Sequence, residues 1–159
     1  MSLGSEIKKK RPFDLLEAEA MLNVLRTGDV LQAEFAGVFK PFELSETQYN
    51  VLRILRGAAN ETGGGLPCGE IASRMITRDP DITRLLDRLE KRGVISRCRE
   101  QNDRRVVCAR ITESGRKILA DLDPLIVAAH KQQLGHLSRE ELNHLITLLE
   151  KARERKQQS

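Results

Sequence analysis

Two neighbouring arginines, Arg104 and Arg105, follow an Asn-Asp turn in the stretch REQNDRRVVCARIT. The segments on either side, 94–100 and 106–112, have the residue pattern of strands, which predicts a hairpin with the two arginines at its tip. A guanidinium pair held away from the body of a protein is suited to an anion, and arginine is attracted by the negative potential of a narrow DNA groove. The alternative is an ordinary polar turn in solvent.

A second group of basic residues lies on the helix predicted for 79–93. Asp79 is placed to cap its N-terminus with Pro80 at the first helical position, and Gly93 lies just past its end. The apolar residues recur at helical spacing, so one stripe is expected to be buried and the opposite face to be exposed. The buried stripe is Ile82, Leu85, Leu86 and Leu89, and the outer face is Pro80, Thr83, Arg84, Asp87, Arg88 and Lys91.

The row formed by Arg84, Arg88 and Arg92 on this helix is uniformly positive. Like charges four residues apart destabilise a helix, so the row favours a bound anion. The alternative is a solvated face with ion pairs such as Asp87 with Lys91.

The net charge is also unevenly distributed. The chain has a formal net charge of +4, and residues 74–110 hold 11 Lys/Arg against 6 Asp/Glu, which leaves 16 against 17 elsewhere. The positive excess is therefore confined to the segment that contains the predicted helix and hairpin. A polyanion is the expected partner of this segment.

Composition indicates one mainly helical domain. The chain has 159 residues, 40% of them hydrophobic and 31% charged, but only 3% aromatic and no Trp. A core of Leu, Ile, Val and Ala favours helix-on-helix packing over an aromatic-rich sandwich. The longest apolar run, 125–129, is too short to span a bilayer, so no membrane association and a cytoplasmic location are expected.

No residue pattern supports catalysis, a cofactor or a metal site. No catalytic or phosphate-binding motif is present, and the three His residues are separated by six and eight positions. The three cysteines lack C-x-x-C spacing, which disfavours a structural zinc site and a disulfide framework. Cys98 and Cys108 fall on facing strands of the predicted hairpin, so a thiol-based redox switch is an alternative function. Cys68 precedes a helix N-terminus, where a thiolate is favoured.

The remaining elements are helices with clear start signals. A first helix is predicted over 13–40, where glycines can kink it, and capping boxes SETQ (45–48) and SREE (138–141) open two others. GEIASRM (69–75) is a short helix. Thr112 caps a long helix to about Leu134, in which Pro124 should produce a bend or break. The expected segments are a leader with a cloning-scar-like start (1–12), an N-terminal helix (13–42), a central lobe (45–112) and C-terminal helices (113–159).

A short helix, a tight turn, a basic second helix and an arginine-tipped hairpin follow the order of a winged helix-turn-helix. Its second helix fits the DNA major groove, while the hairpin reaches the adjacent backbone or minor groove. The stretches ELSETQYNVLRIL, GEIASRM, ITRLLDRLEKRGVISR and DRRVVCARITESGRKIL, with the closing amphipathic helix, resemble MarR-type transcriptional regulators over nearly the whole chain.

This resemblance implies a homodimer in which the first and last helices of each chain interlock. The N-terminal helix (13–42) and the C-terminal helices (113–159) would then be dimerisation helices, and 45–112 would be the DNA-binding lobe. Each copy would read half of a pseudo-palindrome, with half-sites about one helical turn (roughly 10 bp) apart. The recognition helix would be 79–92, and Arg105 of the D-x-R motif would be the wing probe, oriented by Asp103. The expected DNA contacts are Thr77, Arg78, Pro80, Thr83, Arg84, Arg88, Lys91, Arg97, Asp103, Arg104 and Arg105.

One departure from the family pattern is the acidic start DPD of the recognition helix. A carboxylate is unfavourable near phosphate, so Asp81 is expected to pair with a neighbouring arginine rather than a base. The resemblance also implies a site for a small aromatic or anionic effector between the dimer helices and the DNA-binding lobe. Its expected lining is Leu22, Arg26, Tyr49 and Arg53.

Two main hypotheses of function remain. The first is a dimeric DNA-binding regulator, a repressor released by a small molecule. The second is a winged-helix protein-interaction module that binds no nucleic acid. Steep weakening of DNA binding with salt distinguishes the first from the second.

Overall fold

The computed structural model describes residues 2–62, 64–77, 81–99 and 106–154. Seven helices, one 3-10 turn and three strands occur within these ranges. In chain order they are α1 (Leu3–Glu6), α2 (Leu16–Phe39), the 3-10 turn (Lys40–Phe42), α3 (Glu46–Thr62), β1 (Leu66–Pro67), α4 (Cys68–Arg74), α5 (Ile82–Lys91), β2 (Ile95–Arg99), β3 (Val107–Ile111), α6 (Glu113–Leu134) and α7 (Arg139–Arg153). The predicted class, mainly α with a small β wing, is confirmed.

Three helices begin at the capping residues predicted for them. Ser45 and Gln48 exchange both hydrogen bonds of a capping box at the start of α3. Ser138 and Glu141 do the same at α7. Thr112 caps α6 by accepting a hydrogen bond from the Gly115 N–H at 3.2 Å. Each cap satisfies backbone N–H groups that the first helical turn leaves unpaired.

The recognition helix α5 begins later than predicted. Its N-cap is Asp81, whose side chain accepts a hydrogen bond from the Arg84 N–H at 3.1 Å. The assignment of Asp79 as N-cap is therefore wrong, because the helical hydrogen bonding starts two residues further on. Asp79 and Pro80 themselves lie outside the described residues.

Helix α6 continues through Pro124 from Glu113 to Leu134, so a break at this residue was wrongly predicted. Proline removes one backbone hydrogen bond, but Leu119, Leu122 and Ile126 are buried on either side of it and hold the segment on the core. Packing therefore outweighs the local defect.

The segment expected to be a leader contains the short helix α1. Leu3 is only 6% exposed, and α1 packs against α2. Burial of a leucine side chain stabilises a fold by about 1.5–3 kcal/mol, which offsets part of the entropy cost of ordering a short segment.

The core lies where α3, α6, the sheet and the inner faces of α4 and α5 meet. Its fully buried side chains include Phe39, Leu52, Leu55, Ile71, Leu86, Leu89, Ile95, Leu119 and Leu122. Among the described residues no helix is long and apolar enough to span a bilayer.

The sheet is antiparallel, in the order β1-β3-β2, and contains one strand that the sequence did not predict. Strand β1 pairs Leu66 with Ala109 and Pro67 with Cys108. A two-residue strand beside glycines has no periodicity to detect. Gly65 permits this close approach, because a Cβ there would lie 2.6 Å from the Ala109 carbonyl oxygen.

Candidate nucleic-acid interface

Helix α5 has a buried side and an exposed side, as the sequence predicted. Leu85, Leu86 and Leu89 are buried in the core. The outer side chains of Thr83, Arg84, Arg88 and Lys91 are exposed. The helix therefore presents a polar, mostly basic face to solvent.

The outer cations of α5 differ in their surroundings. The Arg84 Nε lies 3.0 Å from the Asp81 carboxylate, so the prediction that Asp81 pairs with an arginine is confirmed. Arg84 nevertheless remains 79% exposed. Arg88, by contrast, forms no ion pair with any residue that the structure describes, and the same holds for Lys91.

The third arginine of the predicted row, Arg92, is exposed but is held by the backbone of another segment. Its guanidinium donates hydrogen bonds to the carbonyl oxygens of Glu43 (2.5 Å) and Phe42 (2.9 Å). These contacts tie the end of α5 to the turn before α3. Arg92 therefore differs from Arg88, whose side chain has no such structural role in the described chain.

Arg97 on β2 is turned towards α5 instead of solvent. Its Nε donates to Glu90 at 2.8 Å, a terminal nitrogen donates to Asp87, and its backbone N–H donates to Glu90 at 3.1 Å. The hydrogen bond to Asp87 raises the pKa of the Arg97 guanidinium; burial opposes this, and the bond to Glu90 adds to it.

Asp87 pairs with Arg97 and not with Lys91, which was the ion pair of the solvated-face alternative. The DNA contact expected of Arg97 stays a prediction, and its guanidinium is held by two carboxylates. Arg97 is thus a positioning residue that fastens β2 to the recognition helix. A guanidinium that is 21% exposed and bound to two acids is poorly placed for phosphate.

The other expected DNA contacts are only partly described. Thr77 is exposed at the end of the turn that follows α4. Arg78, Pro80, Asp103, Arg104 and Arg105 lie outside the described residues, so the roles expected for the wing tip stay predictions.

A cavity of about 310 Å³ lies between α2, α3, the turn after α4, and the end of α6. Of the four residues expected at the effector site, Tyr49 and Arg53 line this cavity, whereas Leu22 and Arg26 do not. Arg26 instead contacts Glu6 at 3.5 Å and Asp29 at 3.8 Å. The remaining lining is Gly28, Leu31, Gln32, Phe35, Glu46, Asn50, Ile76, Thr77, His130, Gln133 and Leu134.

Tyr49, Asn50 and Arg53 are three of the polar side chains that line the cavity. Burial raises the pKa of the Tyr49 phenol above its ordinary value of 10.0, against the lowering effect of the Arg53 guanidinium. Asn50 is 5% exposed and accepts a hydrogen bond from the Ile76 N–H at 3.1 Å. Its buried Nδ2 has no hydrogen-bond partner among the described residues. Such a donor is satisfied by an acceptor oxygen, from either water or a ligand.

Sequence reasoning missed Asn50 and the ring pair Phe35 with His130. These two rings stack with centroids 5.0 Å apart and form an apolar wall of the cavity. The sequence holds no signal that distinguishes Asn50 from a solvated asparagine, because its burial depends on the turn after α4. Within the described ranges no cluster of His, Cys, Asp and Glu could hold a metal ion.

A helix-turn-helix followed by an antiparallel β2–β3 wing defines a winged helix protein. A family model described as MarR family matches residues 44–107. The crystal structure of a MarR transcription factor from Planctomyces limnophilus has 44% sequence identity and a TM-score of 0.66, and the match covers 87% of this chain and 98% of that one. The chain belongs to the MarR family of transcription regulators.

Two other solved structures share the fold at lower identity. One is a mutant MarR from E. coli complexed with operator DNA (22% identity, TM-score 0.74, 96% of this chain and 99% of that one). The other is Bordetella bronchiseptica BpsR, whose DNA binding is regulated by 6-hydroxynicotinic acid (19% identity, TM-score 0.76, 92% of this chain and 100% of that one). At these identities the likeness shows the fold alone.

Proposed function

We propose that the protein is a cytoplasmic, non-enzymatic repressor that binds double-stranded DNA as a homodimer and is released by a small aromatic acid. The observation that carries DNA binding is the exposed outer face of α5, on which Arg88 and Lys91 have no ion-pair partner in the described chain. The operator-bound structure of the E. coli relative supports this function.

Binding should depend strongly on salt, because phosphate contacts release counterions. Sites selected from genomic DNA supply the duplex, and Kd is then measured over a salt series. We expect Arg88→Ala and Lys91→Ala to weaken binding and flatten the salt dependence. Lys151→Ala, which removes an equal charge from α7, is the control. Duplex binding that is absent even at low salt would overturn the proposal and favour a protein-interaction module.

The apolar surface of the terminal helices supports a second copy of this chain as partner. Helix α7 buries none of its residues, although Leu145, Ile146 and Leu148 lie on it. On α2, Leu16 and Leu25 are 78% and 61% exposed. Exposed apolar area of this extent is typical of an interface.

Sedimentation tests the dimer directly. We expect the native chain to sediment as a dimer at micromolar concentration and Leu148→Glu to shift it towards monomer, because the new carboxylate would be desolvated in the interface. Asn143→Glu adds the same charge to the polar side of α7 and should leave the dimer intact. A native chain that stays monomeric at all concentrations contradicts the assembly.

The cavity supports the effector proposal through its donors. The unpaired Asn50 Nδ2, the protonated Tyr49 hydroxyl and the Arg53 guanidinium can all bind carboxylate oxygens, while the Phe35–His130 stack accommodates a planar ring. The regulation of BpsR by 6-hydroxynicotinic acid is a related case.

Hydroxylated aromatic carboxylates are the probes for this site. We expect them to lower DNA affinity, and Arg53→Gln to weaken their effect. Arg26→Gln is the matched control, since this arginine lies outside the cavity. A series of such acids that never changes DNA affinity, or that acts equally on both variants, would contradict the assignment. Transcription from a promoter carrying the selected site should rise when the regulator is deleted, and a fall would overturn the repressor role.

A further inference from the structure

Cys98 and Cys108 face each other across the wing. They are register partners on the antiparallel strands β2 and β3. In the same ladder, the Thr112 N–H donates to the Val94 carbonyl oxygen at 3.1 Å, so Val94 and Thr112 form a hydrogen-bonded pair. Hydrogen-bonded pairs recur at every second position of an antiparallel ladder, so the two cysteines also form one.

The Cα spacing of such a pair is within the range of a disulfide. Residues in a hydrogen-bonded antiparallel pair have Cα atoms about 5.5 Å apart. Disulfides span Cα distances of about 4.4–6.8 Å, and partners directly opposite each other project from the same face of the sheet. The Cβ atoms of a hydrogen-bonded pair lie about 5.5 Å apart, beyond the roughly 3.5–4.5 Å of a relaxed disulfide. Bond formation must therefore draw the two strands together, and the resulting strain makes the bond readily reducible.

The two thiols lie on the outer face of the sheet. Ile95, Ala109 and Ile111 occupy the alternate positions and belong to the core, whereas neither Cys98 nor Cys108 is part of that cluster. Cys98 is half-buried, and Cys108 is 6% exposed. On β3, Cys108 lies between its two cross-strand partners, Cys98 and Pro67, which explains its burial. The pair therefore combines an accessible thiol with a sheltered one.

Cys68 differs from this pair in its surroundings. It lies on the other side of β3, with its Sγ 3.9 Å from the Val107 carbonyl oxygen, and packs against the core. It is not a register partner of either wing cysteine. In the described residues no third ligand joins the wing pair to make a metal site.

We propose that Cys98 and Cys108 form a reversible intramolecular disulfide by exchange with a low-molecular-weight disulfide such as oxidised glutathione. The half-buried Cys98, as thiolate, attacks one sulfur of the reagent, which forms a mixed disulfide and releases one glutathione thiolate. The Cys108 thiolate then attacks the Cys98 sulfur, forms the protein disulfide and releases the second glutathione thiolate. Two protein thiols are oxidised and one reagent disulfide is reduced, and two protons pass to solvent or to the released thiolates. The bond would close the segment 99–107 into a loop.

The test uses the full-length reduced protein, equilibrated with mixtures of reduced and oxidised glutathione and then alkylated. We expect two of the three thiols to be lost together, peptide mass mapping to link Cys98 to Cys108 within one chain, and dithiothreitol to restore both. Cys68→Ser should form the same bond. Cys108→Ser should stop at a mixed disulfide between Cys98 and glutathione, and Cys98→Ser should leave Cys108 reduced.

Several results would overturn the proposal. These are a bond that includes Cys68, a bond between two chains, or retention of both wing thiols in a buffer that oxidises an unstructured two-cysteine peptide. Equal reactivity of Cys98 and Cys108 in the single variants would contradict their assigned roles. None of these measurements involves DNA, so the disulfide and the DNA-binding function can fail independently.

Discussion

The substitution Arg97→Met tests whether Arg97 positions β2 against α5 or contacts DNA directly. Methionine keeps most of the volume of the side chain but removes both guanidinium hydrogen bonds, to Asp87 and to Glu90. The backbone N–H bond to Glu90 remains. The variant therefore loosens the attachment of β2 to α5 without deleting the strand.

The expected loss of stability follows from the exposure of the partners. A hydrogen bond to a charged group contributes about 1.5–3 kcal/mol when it is shielded from water. Asp87 and Glu90 are 45% and 40% exposed, so water replaces part of each interaction and the contribution falls to about 0.5–1 kcal/mol per bond. Arg97→Met should therefore lower the free energy of unfolding by about 1–2 kcal/mol. For a domain of this size that corresponds to a Tm decrease of about 2–8 °C.

Stability is measured by thermal and urea unfolding at one fixed protein concentration, because dimerisation makes Tm depend on concentration. Arg99→Met is the matched control, since Arg99 is exposed on the same strand and should change stability by less than about 0.5 kcal/mol. In DNA binding, Arg97→Met should raise Kd while leaving the slope of log K against log salt unchanged. A lost phosphate contact instead reduces that slope by about one per protomer. Unchanged stability together with a reduced slope would refute the positioning role.

Three further results are expected. Arg56→Met removes the paired hydrogen bonds to Asp123 (2.6 and 2.9 Å) that join α3 to α6. Urea unfolding should show a decrease of only about 1 kcal/mol in the free energy of unfolding, because the carboxylate is 46% exposed and water replaces part of the interaction. An unchanged unfolding midpoint would contradict this. Gly115→Ala should lower the free energy of unfolding by about 1–3 kcal/mol, since its Cβ would lie 2.3 Å from the Val94 carbonyl oxygen. Gly57→Ala, whose Cβ has no atom within 4 Å, should instead raise the free energy of unfolding by about 0.4–1 kcal/mol. Equal effects of the two substitutions would refute the packing argument. Tyr49 is the sole tyrosine, so tyrosinate absorbance should titrate above pH 10.0 in the folded state and nearer 10.0 in urea. The stability linked to the raised pKa of Tyr49 should be lost as pH rises through the folded pKa. Coincident titrations of the folded and unfolded chain would argue against a buried phenol.

The sequence predicted the helix starts well where they depend only on neighbouring residues. The capping boxes at Ser45 and Ser138 act within four residues, so the residue types alone locate the helix starts. At α5 the sequence predicted Asp79 as the N-cap, whereas Asp81 caps the helix, so residue type alone did not locate this start. The facing positions of Cys98 and Cys108 were also predictable, because hairpin register follows from the length of the turn.

The site was less predictable because its contacts join distant segments. Arg97 is seven residues from Glu90 and ten from Asp87, so helix spacing rules do not reveal the pairing. Arg92 reaches back to carbonyl groups about fifty positions earlier. The buried amide of Asn50 depends on Ile76 in another element. In each case a tertiary contact fixed the position of the side chain.

On α5, the exposed outer residues can be varied, whereas the residues that anchor β2 must be kept. Asp87 and Glu90 anchor β2 through Arg97, whereas the exposed Thr83, Arg88 and Lys91 carry no such structural bond within the described chain. A library that randomises these three outer positions can therefore search for new operator preferences while the wing keeps its register. Conversely, a library that includes the two anchoring acids would mix changes of preference with loss of folding.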